Sequence, residues 1–307
     1  MSGIRFAAVV LASTSAVALG APAFGQFDLE NAVIGSQDLG GGVHLLTGEG
    51  GNIALLVGPD GAMMVDDQFA ELADRIATKI GEIAPGDAGR VRFVVNTHYH
   101  FDHAGGNEAW TGRGATIVAH DNVRPRLSNP QPNVLSGEVE DPKPASAWPV
   151  VTFPESVTFH MNGQTVHVVH TPPAHTDGDA IVYFAEANVL HTGDMFIRGG
   201  FPLIDGGANG SLDGFVAAQT LAIEHSDAET KIIPGHGPVS TIADLTATRD
   251  KLAQFRDILA PLATTDLSIE DIIANQPLDG YDEGYAGGFI STDAFITAAV
   301  TAMRRGD

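Results

Sequence analysis

The chain predicts an α/β fold of the α+β kind, with sheets covered by helices in one domain of two similar halves. Three observations carry this. Short strand patterns come in pairs and alternate with helical segments along most of the length. The apolar fraction of 44% and the charged fraction of 18% belong to a folded globular protein rather than a disordered one. The 36 glycines and 17 prolines follow no period, so they mark turns and loops in a 307-residue chain long enough for a substantial core. No internal repeat, low-complexity tract or linker divides it.

In chain order, Val43–Leu46 and Ile53–Val57 read as strands, and Pro59-Asp60-Gly61 turns the chain into a third, Ala62–Val65. Leu72, Ile76, Ile80 and Ile83 fall at helical spacing, which predicts a helix from about Ala70 to Ala84, stopped by Pro85-Gly86. Val91–Val95 is a continuous apolar run, as expected of a strand buried on both faces. Ala115–Ala119 reads as a strand and Asp121–Leu127 as a short helix, and the proline-rich Ser128–Pro149 as a long loop. Further strands are predicted at Val157–His160, Val166–His170, Ala180–Phe184, Val189–His191 and Lys231–Ile233. Ser211 reads as the N-cap of a helix to about Glu224; Thr241–Leu259 and Thr292–Arg304 are also helical.

The first 25 residues stand apart. Arg5 precedes an apolar run from Phe6 to Leu19 and a small-residue exit, Gly20 to Gly25, which is the layout of a secretory signal peptide. As an alternative membrane anchor the run is broken by Ser13, Thr14 and Ser15, and it falls short of a span of about 20 residues. The expected organisation is a signal at 1–25, cleaved near Ala23 or Gly25, and one domain at 26–307, periplasmic or secreted. A chain without cysteine has no disulfide and no thiolate ligand, and suits an oxidising compartment. Without Arg5 the balance is 15 basic against 38 acidic residues, or −23. Such a field repels phosphate backbones and anionic lipid, so nucleic acid and membrane surfaces are excluded as partners and a small-molecule substrate is expected.

The sharpest chemical feature is His98-Tyr99-His100-Phe101-Asp102-His103, at the exit of a predicted strand. Residues two apart in an extended segment point the same way, so His98 and His100 can share one metal. Asp102 and His103 are adjacent, diverge from that pair and can serve a second. Three further strand exits end in possible ligands: Val65-Asp66-Asp67, His191-Thr192-Gly193-Asp194 and Pro234-Gly235-His236-Gly237. Thr171-Pro172-Pro173-Ala174-His175 makes another, and strand exits are where ligands converge in sheet proteins. Nitrogen and oxygen donors without sulfur suit zinc, with iron or manganese next.

His98-x-His100-x-Asp102-His103, followed by His175, Asp194 and His236 and preceded by Asp66, resembles the motif set of the metallo-β-lactamase superfamily over roughly residues 40 to 245. The resemblance implies an αββα sandwich of two mixed sheets flanked by helices, with metals at the sheet edge. It implies that His98, His100 and His175 hold a first zinc and that Asp102, His103 and His236 hold a second. Asp194 would bridge the two, and Asp66 would support the ligands from behind. The separations of 19 residues from His175 to Asp194 and 42 more to His236 are similar to those of true β-lactamases with a cysteine in the second site. Aspartate at 194 instead resembles the thioesterase, lactonase and glyoxalase II branch. The family's drug-gripping lysine is replaced by Ile197, a departure that counts against efficient β-lactam hydrolysis. The nearest cation is Arg198, a candidate substrate anchor weighed against a solvated surface charge.

Five other histidines, His120, His160, His167, His170 and His191, read as packing or supporting residues, and Asp67 and Asp179 as turn or cap residues. The Trp148 loop is a candidate lid. The expected chemistry is hydrolysis of an ester, thioester, lactone or β-lactam by a pair of zinc ions about 3.5–4 Å apart that acidify a shared water. Asp102 would orient the nucleophile. Two rival readings are a mono-iron sulfur dioxygenase-like enzyme and a non-catalytic periplasmic metal- or partner-binding protein. Specificity is expected to lie in the loops Gly48–Asn52, Ser128–Pro149 and Ile197–Gly210.

Overall fold

The computed structural model describes residues 27–133 and 137–306, so the expected signal segment at 1–25 lies outside the described residues. The first half of the chain forms β1 (Gly35–Gly40), β2 (Val43–Thr47), β3 (Ile53–Leu56) and β4 (Ala62–Val65), then helix α1 (Ala73–Ile83) and β5 (Val91–Val95). Next come α2 (Phe101–Ala104), α3 (Asn107–Gly112), β6 (Thr116–His120) and α4 (Val123–Ser128). The short hairpin β7 (Gln131–Pro132) and β8 (Val139–Glu140) leads to β9 (Val151–Phe153). The second half forms β10 (Ser156–Met161), β11 (Gln164–His170), β12 (Ala180–Phe184), β13 (Val189–His191), α5 (Leu212–Glu224) and β14 (Lys231–Ile233). It closes with α6 (Ile242–Ala263), α7 (Ile269–Ala274) and α8 (Thr292–Arg305).

The strands make two mixed sheets, ordered β1-β2-β3-β4-β5-β6-β9 and β10-β11-β12-β13-β14. Their inner faces share one core. The period-2 geometry of a strand decides which residues enter it. In β3, Ala54 and Leu56 meet Val168, Val182 and Phe184 of the other sheet. Ile53 and Leu55 turn outward onto Leu72, Ile76 and Ile80 around α1. In β14, Ile233 faces the shared core and Ile232 packs under Phe215, Leu252 and Phe255. Helices therefore cover both outer faces, giving four layers, αββα. Truncating the fully buried Leu55 to alanine should cost about 2–5 kcal/mol.

Local signals hold where the sequence is patterned. Ser211 caps α5, its hydroxyl accepting from the Gly214 amide. Thr241 and Asp244 form a reciprocal capping box on α6. Departures come where pattern is weak. β1 (GSQDLG) has one buried residue, Leu39, and β9 is three residues long, so neither shows an alternation. α7 has only six residues. The Ser128–Pro149 loop carries the β7–β8 hairpin, and β5 is not buried throughout: Arg92 is exposed and donates to the Asp60 carbonyl.

Candidate metal centre

Strands β4 and β5 of one sheet are parallel neighbours, as are β13 and β14 of the other. The exits of all four carry polar residues into one place. β4 delivers Asp66, β5 delivers His98 and His100, β13 delivers Asp194 and β14 delivers His236. The single turn α2 adds Asp102 and His103, and the β11–β12 connection adds His175. Ligand atoms of His98, His100 and His175 lie within 4.8 Å of one another, as do those of Asp102, His103 and His236 and those of His98, His103 and Asp194. All seven residues expected as ligands are brought together.

The outward hydrogen bonds decide which nitrogen of each ring faces inward. His98 donates from Nδ1 to the Thr97 hydroxyl, at 3.0 Å, which in turn donates to Asp66 Oδ2 at 2.7 Å. His100 donates from Nε2 to Asp205 Oδ2 at 3.0 Å, and His175 from Nδ1 to the Leu203 carbonyl at 2.7 Å. Each ring thus turns a bare lone pair inward. His100 Nδ1 and His175 Nε2 face one another across 2.7 Å, and the buried His98 Nε2 has no protein partner. Lone pairs so placed repel unless a cation lies among them. The donor set fits a metal.

The other cluster is built differently. His103 is held from Nδ1 by Asp66 Oδ2 at 2.8 Å. Its Nε2 lies 3.1 Å from Asp194 Oδ1, 3.5 Å from Asp102 Oδ2 and 3.3 Å from His236 Nε2. His236 Nε2 is 3.2 Å from Asp102 Oδ2 and 3.5 Å from Asp194 Oδ1. Asp194 reaches back to His175 at 3.7 Å, so it stands between the clusters. The charges follow the neighbours. Burial, with repulsion from His103 and His175, pushes His98 well below the usual histidine range; burial with His100 lowers His175 to about 4. Burial would lower His103 and His236 as well. Asp194 and the other carboxylates outweigh it, holding His103 well above its ordinary value and raising His236 to about 10.

Several supports behind these ligands lack a sequence signal. Asp205 precedes a glycine and reads as a turn residue; its Oδ1 does accept from the Gly207 and Ala208 amides. Its Oδ2 accepts instead from Tyr99 and His100, 106 and 105 residues away. Asn52 clamps the His236 loop by donating to the Pro234 and Gly237 carbonyls, both at 2.8 Å. Gly235 is required by close approach, since a Cβ there would sit 1.9 Å from Asp194 Oδ1. Asp179 is a turn residue as expected, accepting from the His175 and Thr176 amides. Asp67 accepts from the Gly106 amide. Among the other histidines, His120 and His170 stack at 3.6 Å and His191 donates to the Asn52 carbonyl. His160 and His167 are exposed.

The centre opens into a cleft of about 330 Å³. Glu49, Lys143 and Leu203 line it from the three loops expected to set specificity, and the C-terminal Phe289 and Ile290 join them. Trp148 is not part of the lining; its indole donates to the Lys143 carbonyl and stacks near Arg124. Arg198 stands on the rim, 38% exposed, bound to Asp244 at 2.9 Å.

A family model described as the metallo-beta-lactamase superfamily matches residues 46–236. The chain belongs to this superfamily. The matched stretch contains every ligand candidate from His98 to His236, and Asp66. Solved superfamily structures share the fold: a metallo-beta-lactamase from Pontibacter korlensis has a TM-score of 0.56 at 20% identity, covering 72% of this chain and 99% of that one. The DIM-1 metallo-beta-lactamase has a TM-score of 0.55 at 16% identity, covering 72% and 98%. Among curated proteins, hydroxyacylglutathione hydrolase of Pelagibacter ubique (strain HTCC1062) is 25% identical over 148 residues, 48% of this chain and 52% of that protein. The Rhodospirillum rubrum protein of the same name is 28% identical over 148 residues, 48% of each. The chain spans about half the length of these curated relatives.

Proposed function

We propose that the protein is an exported, binuclear zinc hydrolase that cleaves a carbonyl ester, thioester, lactone or β-lactam bond. The observation that carries this is the convergence of five imidazoles and two carboxylates on the floor of an open cleft, with the lone pairs of His98, His100 and His175 turned inward. His98, His100 and His175 would hold one zinc, Asp102, His103 and His236 the other, with Asp194 between them. When bound, such a pair supplies an acidified water and an electrophilic partner for a carbonyl oxygen. Asp66 and Asp205 keep the imidazoles in the tautomer that presents lone pairs inward. Asp102 faces the cleft. Burial would raise its carboxyl, but His103 and His236 outweigh that and keep it ionised below the ordinary range. An ionised Asp102 can accept a hydrogen bond from the attacking water and orient it.

The name of the curated relatives favours a thioester or related ester among these substrates, and Asp194 in place of a cysteine is in keeping with that branch. Purified protein should bind two zinc equivalents, lose turnover of an ester, lactone, thioester and cephalosporin panel on chelation, and regain it with zinc. Full activity in Asp102→Ala would remove the assigned role. One iron per chain, with oxygen consumption, would select the dioxygenase reading instead. Fractionation of the native host with N-terminal sequencing tests export; an intact Met1 in the cytosol would end it.

A further inference from the structure

We propose, resting on the hydrolase reading, that residues 27–34 form a strap that holds the turn carrying Asp102 and His103, with Phe27 as the positioning residue at its tip. An aromatic cluster joins this segment to the metal motif, and a single arginine fixes the segment in place.

The turn needs outside support. α2 has four residues, Phe101–Ala104, and its N-cap His100 makes no side-chain cap. A first helical turn orders several residues for few hydrogen bonds, so its position comes from its neighbours. The Gly51 amide donates to the Asp102 carbonyl at 3.0 Å, and the Asp67 amide to the His103 carbonyl at 2.8 Å. The first residue of the turn is held by rings. Phe101 lies 5.8 Å from Phe69 and 6.1 Å from Phe27 between centroids, and Phe27 and Phe69 are 4.8 Å apart. Tilted and edge contacts at these separations are the favourable ones for aromatic pairs.

Phe27 is delivered to that cluster by a fixed backbone. Arg75 on α1 donates to the carbonyls of Leu29 at 2.7 Å, Ala32 at 3.0 Å and Glu30. One planar guanidinium bonded to three nearby carbonyls sets them in a single geometry. The Asp28 amide donates to Glu49 Oε2 at 3.2 Å, and Ala32 and Ile34 are buried in the same core as Phe69, Leu72 and Ile76. The strap also lies outside residues 46–236, the stretch matched by the family model, so it is a support beyond the shared motifs.

Because the ring bears on α2, its loss should act on Asp102 and His103 and spare the three-histidine cluster. Phe27 also lines the cleft, so the competing role is that of a wall, which would alter substrate binding alone.

The test compares wild type with Phe27→Ala, Arg75→Gln and the double variant, by cobalt(II) titration read by absorbance and by p-nitrophenyl acetate kinetics. Phe27→Ala should weaken metal binding at Asp102, His103 and His236 by about tenfold, leave the other cluster unchanged, and lower kcat more than it changes KM. Arg75 is exposed and remote from the cleft lining, so folding is not at stake in Arg75→Gln, which should give the same changes at smaller size. The double variant should be no worse than Phe27→Ala, since both remove one support. Unchanged cobalt affinity, a change in KM alone, or additive losses in the double variant overturn the inference. If wild type binds cobalt but cleaves nothing across the wider substrate panel, the hydrolase reading fails while the affinities still judge the strap. If the mixed cluster takes up no metal, amide exchange in the metal-free protein decides. Faster exchange at His103 and Ala104, whose amides donate to the His100 carbonyl, in both single variants supports the strap, and unchanged rates overturn it.

Discussion

The two halves of the candidate metal centre share a floor but differ in their electrostatics. His98, His100 and His175 form a cluster of imidazoles that is almost free of carboxylate on its inner side. Burial and mutual repulsion keep His98 and His175 neutral. Across Asp194, His103 and His236 sit among carboxylates and hold protons well above the usual range. The same residue type is thus a prepared ligand in one half and a protonated counter-ion in the other. A metal entering the three-histidine half needs to displace almost nothing, whereas one entering the mixed half must expel protons.

The largest effect should come from Asp194, which touches both halves. Asp194→Ala is expected to abolish turnover and lower bound zinc in both, measured by metal analysis beside kinetics; retention of two equivalents would break the account. Next come the carboxylates behind the ligands, each worth about 10–100-fold in metal affinity. Asp205→Ala should weaken only the three-histidine half, because the Asp205 carboxylate hydrogen-bonds His100 and its backbone amide donates to the His175 carbonyl. Asp66→Ala should weaken both halves, since it holds His103 directly and His98 through Thr97. Cobalt(II) titration read by absorbance separates the two outcomes.

A moderate effect is expected from pH. Proton release on titrating in metal should be small for the three-histidine half and about one to two protons for the mixed half near pH 7. In metal-free protein the signs of the stability change are opposite. His236, raised to about 10 from 6.5, adds stability below pH 6.5 that is lost as pH rises toward 10. His175, lowered to about 4, is a buried neutral base, so stability is lost as pH falls from 6.5 toward 4. Urea midpoints after chelation should therefore peak between these limits, and a monotonic profile would contradict the contrast. The smallest effect serves as a control. Thr241→Ala removes the cap of α6 and should cost about 1 kcal/mol without changing metal affinity in either half.

Much of this was legible in the residues. Continuous apolar runs, such as Ile53–Leu56, formed strands buried on both faces, and helices with caps, such as the one opened by Ser211, formed where the cap placed them. The seven candidate ligands were legible because strand exits and the alternation within His98-Tyr99-His100 are local properties. Asp205, Asn52, Gly235 and Phe289 were not. Each acts across a long separation, as when Asn52 holds the carbonyls of Pro234 and Gly237, and nothing nearby in sequence marks the partner.

From the sequence alone come the kinds of donor, their order along the chain, the alternating elements that carry them, and the absence of any thiolate. Only the tertiary structure decided how these donors were divided into a neutral and a charged half, and what closed the cleft above them. Protonation depends on the distances between groups from different strands, and the cleft wall depends on where a C-terminal segment docks. Both are set by packing between parts of the chain that a linear pattern does not relate.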